Sequence, residues 1–397
     1  MNNHRPIRLL TYLMFFIFAM TTDAVGVIIP VIIETFDLSL TQASSFHYAT
    51  MVAIALSGIA LGFLSDRFGR KNVILLGLGL FALSCFAFSI HGTFLYFLSL
   101  VTLSGLAIGI FKTAAIGLMG DISATNHEHT RTMNMAEGFF AVGAIVGPTV
   151  VSYLLTQQVS WTYLYVLAGG LALTLAYIAT RIPYPATQQE DGAPKTSVKD
   201  SLRMLRDPYA LAFSGAIALY VITEAAIYVW MPTYLLGYTG SIEWLAVYAL
   251  SIFFVFRAVG RFLGAYLLHL LNWRWVLALC SGVVMLCYLG SMFFGVNGAV
   301  LLLPLSGLFM SVLYPTINSK GISCFPVRQH GAIAGVILFF TAAAAAFGPM
   351  IMGILGDTFG DMYYGFLFTS GCAVLLFSLS IINLVFDPTQ SRLDQAP

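Results

Sequence analysis

The chain has 397 residues, of which 59% are hydrophobic and only 9% are charged, with 18 basic and 17 acidic side chains. A water-soluble globular protein needs roughly a quarter of its surface residues charged. This composition therefore excludes a water-soluble globular protein and predicts an integral membrane protein. The near-neutral charge balance argues against nucleic acid as a partner. The five cysteines lack metal-ligand spacing, so we expect buried, reduced thiols, with no metal site and no cofactor.

Twelve apolar runs follow one another along the chain, each long enough to cross a bilayer as a helix. The first is too long for the core of a cleavable signal peptide, so it is expected to remain as a span. The sequence therefore predicts an all-α membrane protein of twelve transmembrane helices. The runs cover residues 9–34, 43–64, 72–90, 96–119, 133–155, 161–181, 208–236, 243–268, 273–295, 299–318, 329–355 and 362–386.

Lysine and arginine are distributed unevenly between the two ends of these runs. If the N-terminus is cytoplasmic, no Lys or Arg falls in the six predicted outer loops, which agrees with the excess of positive charge in cytoplasmic loops. Both termini are then cytoplasmic. The only long connector, polar and proline-bearing, divides the chain into a six-helix bundle at 1–182, a cytoplasmic linker at 183–207 and a second six-helix bundle at 208–397.

The two halves look like copies of each other. Asp23 and Glu224 each follow a threonine in the first helix of a half, and Gly147-Pro148 matches Gly348-Pro349 in the fifth. Both matches have a separation of 201 residues (224 − 23 and 349 − 148). Agreement at the same offset in corresponding helices predicts two bundles related by an internal repeat. The run 260–264 is a weaker third match between the two halves.

A charged run of ten residues separates the second and third spans. Its short length and its glycines predict a tight cytoplasmic loop. It resembles the signature between helices 2 and 3 of the major facilitator superfamily. The resemblance implies a secondary transporter that works by alternating access in the inner membrane of a bacterium, and not an enzyme. The residues expected to gate the motion are Gly62, Asp66, Arg67, Gly69, Arg70 and Lys71.

Four segments narrow the resemblance to the fucose-galactose-glucose:proton symporter family. They are Gly260 to Gly264, Phe309 to Thr316, Leu219 to Glu224 and Asn134 to Pro148. This resemblance implies a monomeric carrier in the lipid bilayer that moves a sugar or small polar solute with a proton, with Na⁺ as the alternative coupling ion.

Ionisable residues within a span cost about 2.5–3.5 kcal/mol on insertion scales and tend to be kept for a task. Asp23, Lys112, Glu137 and Glu224 are therefore the candidates for proton coupling. A carboxyl near the bilayer centre, as expected for Asp23, can hold a proton on one side and release it on the other. Arg257, a fifth charge within a span, is expected to make gate or loop contacts together with Arg261.

Lys112 and Glu137 depart from the symporter family, which has an acid in place of Lys112 and a histidine in place of Glu137. Three interpretations of Lys112 remain open: an ion pair with Glu137, direct binding of an anionic substrate, or a lysine that extends to the membrane interface. The second interpretation would make the protein a carrier of an organic anion or another metabolite.

Aromatic and polar side chains within the spans are candidates for contact with solute. Rings beside a carboxylate suit sugars, whose C–H faces stack on rings while their hydroxyls need acceptors. The candidate substrate-binding residues are Tyr228, Trp230, Asn318, Tyr314, His47 and Thr113.

The glycines of the fifth span support a further alternative. A Gly-x-x-x-Gly-Pro run is similar to a motif of drug:proton antiporters in the superfamily, although the symporter family also has Gly-Pro here. Glycines at this spacing allow close approach of helices. The residues predicted to serve helix packing are Gly143, Gly147, Pro148, Gly348 and Pro349. No nucleophile-base pair, phosphate loop or metal motif supports an enzyme.

Overall fold

A computed structural model describes residues 5–90, 92–123, 126–184, 204–326 and 329–393, and these residues form helices and connecting turns. The chain divides into two compact units. Unit 1 comprises Met1–Leu38 and Ser45–Gly192, and unit 2 comprises Ser39–Ser44 and Ala193–Pro397. The predicted linker at 183–207 falls largely on residues 185–203, which lie outside the described ranges.

The first seven helices belong to the N-terminal half. They are α1 (Arg5–Thr22), α2 (Val25–Phe36), α3 (Leu40–Phe68), α4 (Arg70–Ala87), α5 (Phe94–Asp121), α6 (Asn126–Thr156) and α7 (Thr162–Arg181). The helices of the C-terminal half are α8 (Pro208–Leu235), α9 (Glu243–Val247), α10 (Ala249–Leu270), α11 (Trp273–Phe293), α12 (Gly295–Ser323), α13 (His330–Phe359), α14 (Tyr363–Phe386) and α15 (Gln390–Leu393).

Eleven helical segments among the described residues are long and apolar enough to cross a membrane, when α1 and α2 are taken as one span over Arg5–Phe36. Helix α3, with 29 residues, is also long enough. The prediction of an all-α membrane protein with twelve spans is therefore confirmed. The five cysteines are all buried within the helical part of the chain or next to it.

The first span is interrupted near its middle, which the hydropathy of the run did not predict. Asp23 and Ala24 form a turn between α1 and α2, and the N–H of Val27 bonds the Ala24 carbonyl at 3.0 Å in a tightened turn. Pro30, inside α2, lacks a backbone N–H and cannot bond the carbonyl of Gly26. The regular ladder of hydrogen bonds is therefore weakened on both sides of Gly26.

Close helix packing in unit 1 depends on glycines. Helix α1 packs against α6, where a Cβ at Gly143 or Gly147 would collide with the carbonyl oxygens of Phe16 and Met20. Glycines in α5 approach α3 in the same way, since a Cβ at Gly105 would lie 2.7 Å from the carbonyl oxygen of Thr50. These glycines allow backbone-to-backbone contact that a larger residue would prevent.

Unit 2 repeats this packing scheme with its own helices. Helix α8 packs against α13, where a Cβ at Gly348 would lie 3.1 Å from Ile222. Helix α10 packs against α12, where a Cβ at Gly307 would lie 2.6 Å from the carbonyl oxygen of Phe253. Residues 260–264 lie inside α10 and pack on α12. Corresponding helices thus pair in corresponding ways, as the internal repeat predicts.

The non-helical loop between the second and third spans is shorter than the charged run that predicted it. Helix α3 continues to Phe68 and α4 begins at Arg70, so only Gly69 is not helical, and its φ of 81° favours glycine. Arg70 forms an ion pair with Asp121 at the end of α5 (3.0 Å), and Lys71 donates to the carbonyl of Thr180 at 2.9 Å. Both basic residues therefore bind neighbouring helix ends of unit 1.

A similar run lies at the end of α13. Residues 353–360 read Gly-x-Leu-x-Asp-x-Phe-Gly, the same pattern as residues 62–69, and Gly360 also has a positive φ of 78°. In unit 2, the Asp357 carboxylate accepts hydrogen bonds from the N–H groups of Leu40 (2.7 Å) and Thr41 (2.8 Å). An acid in this position satisfies the free N–H groups at the start of α3.

Candidate transport site

Asp23 lies at the interruption of the first span. The hydroxyl of Thr22 is 3.3 Å from the Asp23 carboxylate and 3.1 Å from the Phe18 carbonyl oxygen. The side chain of Asp23 is half-buried. Non-helical backbone at membrane depth is tolerated where it is buried in protein or lines a cavity, so this turn places a carboxyl inside unit 1 without a regular helix around it.

Lys112, on α5, is surrounded by aromatic rings. Its Nζ lies 4.5 Å from the ring centroid of Phe18, 5.6 Å from that of Phe15 and 6.0 Å from that of Phe140. The first two rings belong to α1 and the third to α6. A cation over the faces of rings is stabilised by their quadrupoles, and the effect strengthens where water is excluded.

The carboxylates of Glu137 and Asp23 lie near enough to Lys112 to act on its charge. The direct ion pair expected between Lys112 and Glu137 is not among those that the described residues form. The phenylalanine rings occupy the space around Nζ, so the carboxylates act at longer range. Asp23, Lys112 and Glu137 together form the unit 1 charge cluster, which holds two acids and one base.

Glu224 is the centre of a second cluster, in unit 2. Its Oε1 accepts a hydrogen bond from the Tyr220 hydroxyl at 2.8 Å and pairs with Nη2 of Arg257 at 2.7 Å. Tyr220 and Glu224 are one turn apart on α8, whereas Arg257 is supplied by α10.

Aromatic and amide groups continue this cluster. The ring of Tyr314, on α12, lies 6.0 Å from that of Tyr220, and its hydroxyl is 3.4 Å from that of Thr341 on α13. Asn318 is one turn further along α12 and is half-buried. Glu224, Arg257, Tyr220, Tyr314 and Asn318 are called the unit 2 polar cluster below.

Two members of the unit 2 polar cluster were not predicted as site residues. Arg257 was expected to make gate or loop contacts, but it pairs with Glu224. A cation within a span needs a nearby acid, and this balance of charges was the available signal. Tyr220 precedes Glu224 by four residues and so shares its helix face, as Tyr228 does four residues after Glu224.

The structure gives Trp230 a packing role, contrary to the expectation that it contacts solute. Its side chain is fully buried, and its indole N–H donates to the carbonyl oxygen of Pro349 at 2.9 Å. The contact joins α8 to α13 inside unit 2. With its donor engaged and its ring enclosed, Trp230 leaves no surface for a solute.

The other predicted substrate residues lie in different surroundings. His47 is buried in α3, with 1% of its surface exposed, and not at an interface. Thr113 donates to the Gly109 carbonyl of its own helix at 2.8 Å and faces Gly58 of α3. Tyr228 is half-buried on α8. Their contact with a solute stays a prediction.

The predicted gating residues are described in part. The surroundings of Gly62 and of the Asp66 side chain are not among those that the structure describes. Arg67 is exposed, with its guanidinium 5.5 Å from the ring centroid of Phe68. Gly69 forms the one-residue turn. Arg70 and Lys71 make the contacts with the neighbouring helix ends of unit 1. Their part in gating stays a prediction.

Comparison with known proteins identifies the family. The family model described as Major Facilitator Superfamily matches residues 11–349. The chain belongs to the major facilitator superfamily. It is 25% identical to the L-fucose-proton symporter of Escherichia coli (strain K12), over 92% of this chain and 90% of that protein. It is 24% identical to the chromaffin granule amine transporter of Rattus norvegicus, over 85% of this chain but only 63% of that protein.

The solved structures show the same fold for this superfamily member. A bacterial homologue of the human lysosomal transporter Spinster matches with a TM-score of 0.77 at 14% identity, over 95% of this chain and 96% of that one. The protein is therefore a multi-pass membrane transporter and not an enzyme, and its resemblance to the fucose permease group is supported.

Proposed function

We propose that the protein is a symporter that moves a sugar, or a similar neutral solute with several hydroxyls, together with protons. The observation that carries this proposal is the surplus carboxyl of the unit 1 charge cluster. Two acids, Asp23 and Glu137, act on one base, Lys112. With all three ionised the cluster carries one net negative charge, and one bound proton makes it neutral.

When water is excluded from the unit 1 charge cluster, its neutral form is favoured, because net charge in a low-dielectric interior is costly. Reorientation of the carrier then becomes easier with the proton bound than without it. Asp23 is the preferred site for this proton, since it lies at the helix interruption.

The solute class follows from the unit 2 polar cluster. Glu224 and Arg257 form an ion pair, so each compensates the charge of the other. Glu224 provides a carboxylate acceptor, Tyr314 provides a ring face, and Asn318 provides an amide that both donates and accepts. Acceptors beside an aromatic face suit a sugar. The similarity to a fucose-proton symporter supports the same class.

Transport of an organic anion through Lys112 has weaker support. The charge of Lys112 is already stabilised by two carboxylates and three rings, and the carboxylates would repel an anionic solute. The drug-antiporter alternative depends on the motif that contains Gly143 and Gly147, and both glycines pack closely against α1.

Matched ligands test the solute class on the purified protein. A hexose, the corresponding sugar acid and the corresponding amino sugar differ in charge but share their hydroxyls. We expect only neutral sugars to raise the midpoint of thermal unfolding, because a ligand that binds the folded state alone stabilises it. A shift with sugar acids and none with neutral sugars would contradict the proposed class.

Proton coupling is tested separately in proteoliposomes with a pH-sensitive dye. Addition of the stabilising sugar outside should move protons inward with it, and the Glu224→Gln variant should lose sugar binding. Sugar entry that moves no protons and does not depend on Na⁺ would show a uniporter in place of a symporter.

A further inference from the structure

Unit 2 contains an apolar groove that the transport clusters do not use. Its volume is about 350 Å³, and it is lined by Tyr209, Phe213, Trp273, Leu277, Ile317 and Leu376. The beginnings of α8 and α11 and the end of α14 surround it, so it lies at one membrane face of the unit. None of the residues of the unit 2 polar cluster lines it.

The rim of the groove is apolar and exposed. Leu379 and Ile382 of α14 are 39% and 48% exposed, and Ala212 of α8 is also exposed. Exposed aliphatic residues on a membrane-spanning helix contact the acyl chains of the bilayer. The groove is therefore accessible from the lipid phase.

Basic residues surround the end of the groove nearest the water. Arg274 forms an ion pair with Asp387, and Arg392 forms one with Asp207 at 2.9 Å. Lys320 has no carboxylate partner among the described residues, and its Nζ lies 5.7 Å from the ring centroid of Trp273, which lines the groove. Three bases and two acids leave one uncompensated positive charge at this rim.

Three of the charges at this rim, those of Arg392, Lys320 and Asp207, act on the Cys324 thiol. Burial raises the pKa of the Cys324 thiol to about 11, whereas the positive charges of Arg392 and Lys320 lower it and Asp207 raises it. Cys324 directly follows α12, so Lys320 and Arg392 are held at the same end of the unit although they are distant in sequence.

We propose that this groove binds an anionic phospholipid, with one acyl chain against Trp273 and Phe213 and the headgroup phosphate on Lys320. The apolar lining fits a hydrocarbon chain, and the uncompensated ammonium fits the phosphate. Basic pockets between transmembrane helices recognise anionic headgroups in this way, and tryptophan is favoured at the membrane interface. A zwitterionic lipid would bring a second positive charge close to Lys320 and bind more weakly.

The test uses the full-length protein in a neutral detergent, with phosphatidylglycerol or phosphatidylcholine added and lipid binding measured by native mass spectrometry. We expect the wild-type protein to prefer phosphatidylglycerol by about fivefold, from one basic residue near an anionic headgroup. The Lys320→Gln variant should lose this preference, and Lys320→Arg should keep it. Glycerol 3-phosphate, a headgroup without chains, should not compete.

Two further variants separate the groove from surface charge in general. Ala212→Trp fills the rim without changing charge and should weaken binding of both lipids. Arg181→Gln is the matched control, because Arg181 also lies over an aromatic ring, that of Tyr177 at 5.1 Å, at the end of a span in unit 1. Equal binding of the two lipids by the wild type would overturn the proposal. A preference that survives Lys320→Gln, or one that Arg181→Gln removes, would overturn it as well.

Discussion

Asp23 is the residue on which the proposed coupling depends. Asp23→Asn imitates the protonated carboxyl, so the unit 1 charge cluster becomes permanently neutral and no longer needs a proton to reorient. We expect this variant to lose accumulation of solute driven by a pH gradient while it retains exchange of solute between the two sides, because exchange needs no net proton movement. Uptake and counterflow in proteoliposomes measure the two activities.

Glu34→Gln is the matched control for this experiment. Glu34 is an acid of α2 in the same span, but it is exposed. Its neutralisation should leave both gradient-driven uptake and exchange unchanged. If Asp23→Asn still concentrates solute when a pH gradient is imposed, the coupling proton binds elsewhere, and Glu224 or Na⁺ coupling becomes the better explanation.

Lys112 and Glu137 should be energetically linked although they form no direct ion pair. Lys112→Met leaves two carboxylates without their base, so it should destabilise the protein more than the double change with Glu137→Gln. We expect a coupling energy of about 0.5–3 kcal/mol in a double-mutant cycle of thermal or denaturant unfolding. Additive effects would show that Asp23 alone balances the lysine.

The site residues that sequence reasoning identified are those whose chemistry alone made them unusual. Asp23, Lys112, Glu137 and Glu224 are charges in apolar runs, and such charges are conspicuous without a structure. The partners of these residues were harder to identify. The pairing of Arg257 with Glu224 depends on how α10 packs in unit 2, and the burial of Trp230 depends on the position of α13.

At the scale of a helix pair, the contact between α1 and α6 depends on Gly147. A methyl group there would collide with the carbonyl oxygen of Met20. Gly147→Ala should therefore destabilise the protein by about 1–3 kcal/mol, since neither backbone can withdraw without loss of packing. The midpoint of thermal unfolding in detergent measures the effect.

Gly138→Ala provides the control on the same helix. A Cβ at Gly138 would meet nothing within 4 Å, so this change should leave stability unchanged or raise it slightly through the better helix propensity of alanine. Equal destabilisation by the two substitutions would show that α6 needs glycine for flexibility and not for close approach.

The number of helices was predictable from hydropathy, but their interruptions were not. The turn at Asp23 occupies two residues, which hardly changes the mean hydropathy of a long run. The predicted loop before α4 consists only of Gly69 in the structure. Polar residues at the end of a span can continue the helix beyond the membrane, so their polarity does not mark the end of the helix. Ends of helices are set by capping and packing, and hydropathy reports neither.

At the scale of the molecule, the internal repeat has more copies than the two halves alone would suggest. The pattern Gly-x-Leu-x-Asp-x-Phe-Gly occurs at 62–69 and again at 353–360, and both runs end in a glycine with positive φ. The first follows the second span of its half and the second follows the fifth. Repetition at these positions is what a smaller ancestral unit of three helices would leave.

The buried cysteines make the membrane orientation directly measurable. All five thiols are enclosed in the protein, so a charged maleimide that cannot cross the bilayer should leave the wild type unlabelled in intact cells. A single new thiol then reports its own side without prior removal of the native ones. We expect Gln158→Cys, in an exposed turn, to react from outside, and Thr180→Cys, at the other end of α7, to react only after the membrane is opened. The reverse pattern would place the termini outside the cell.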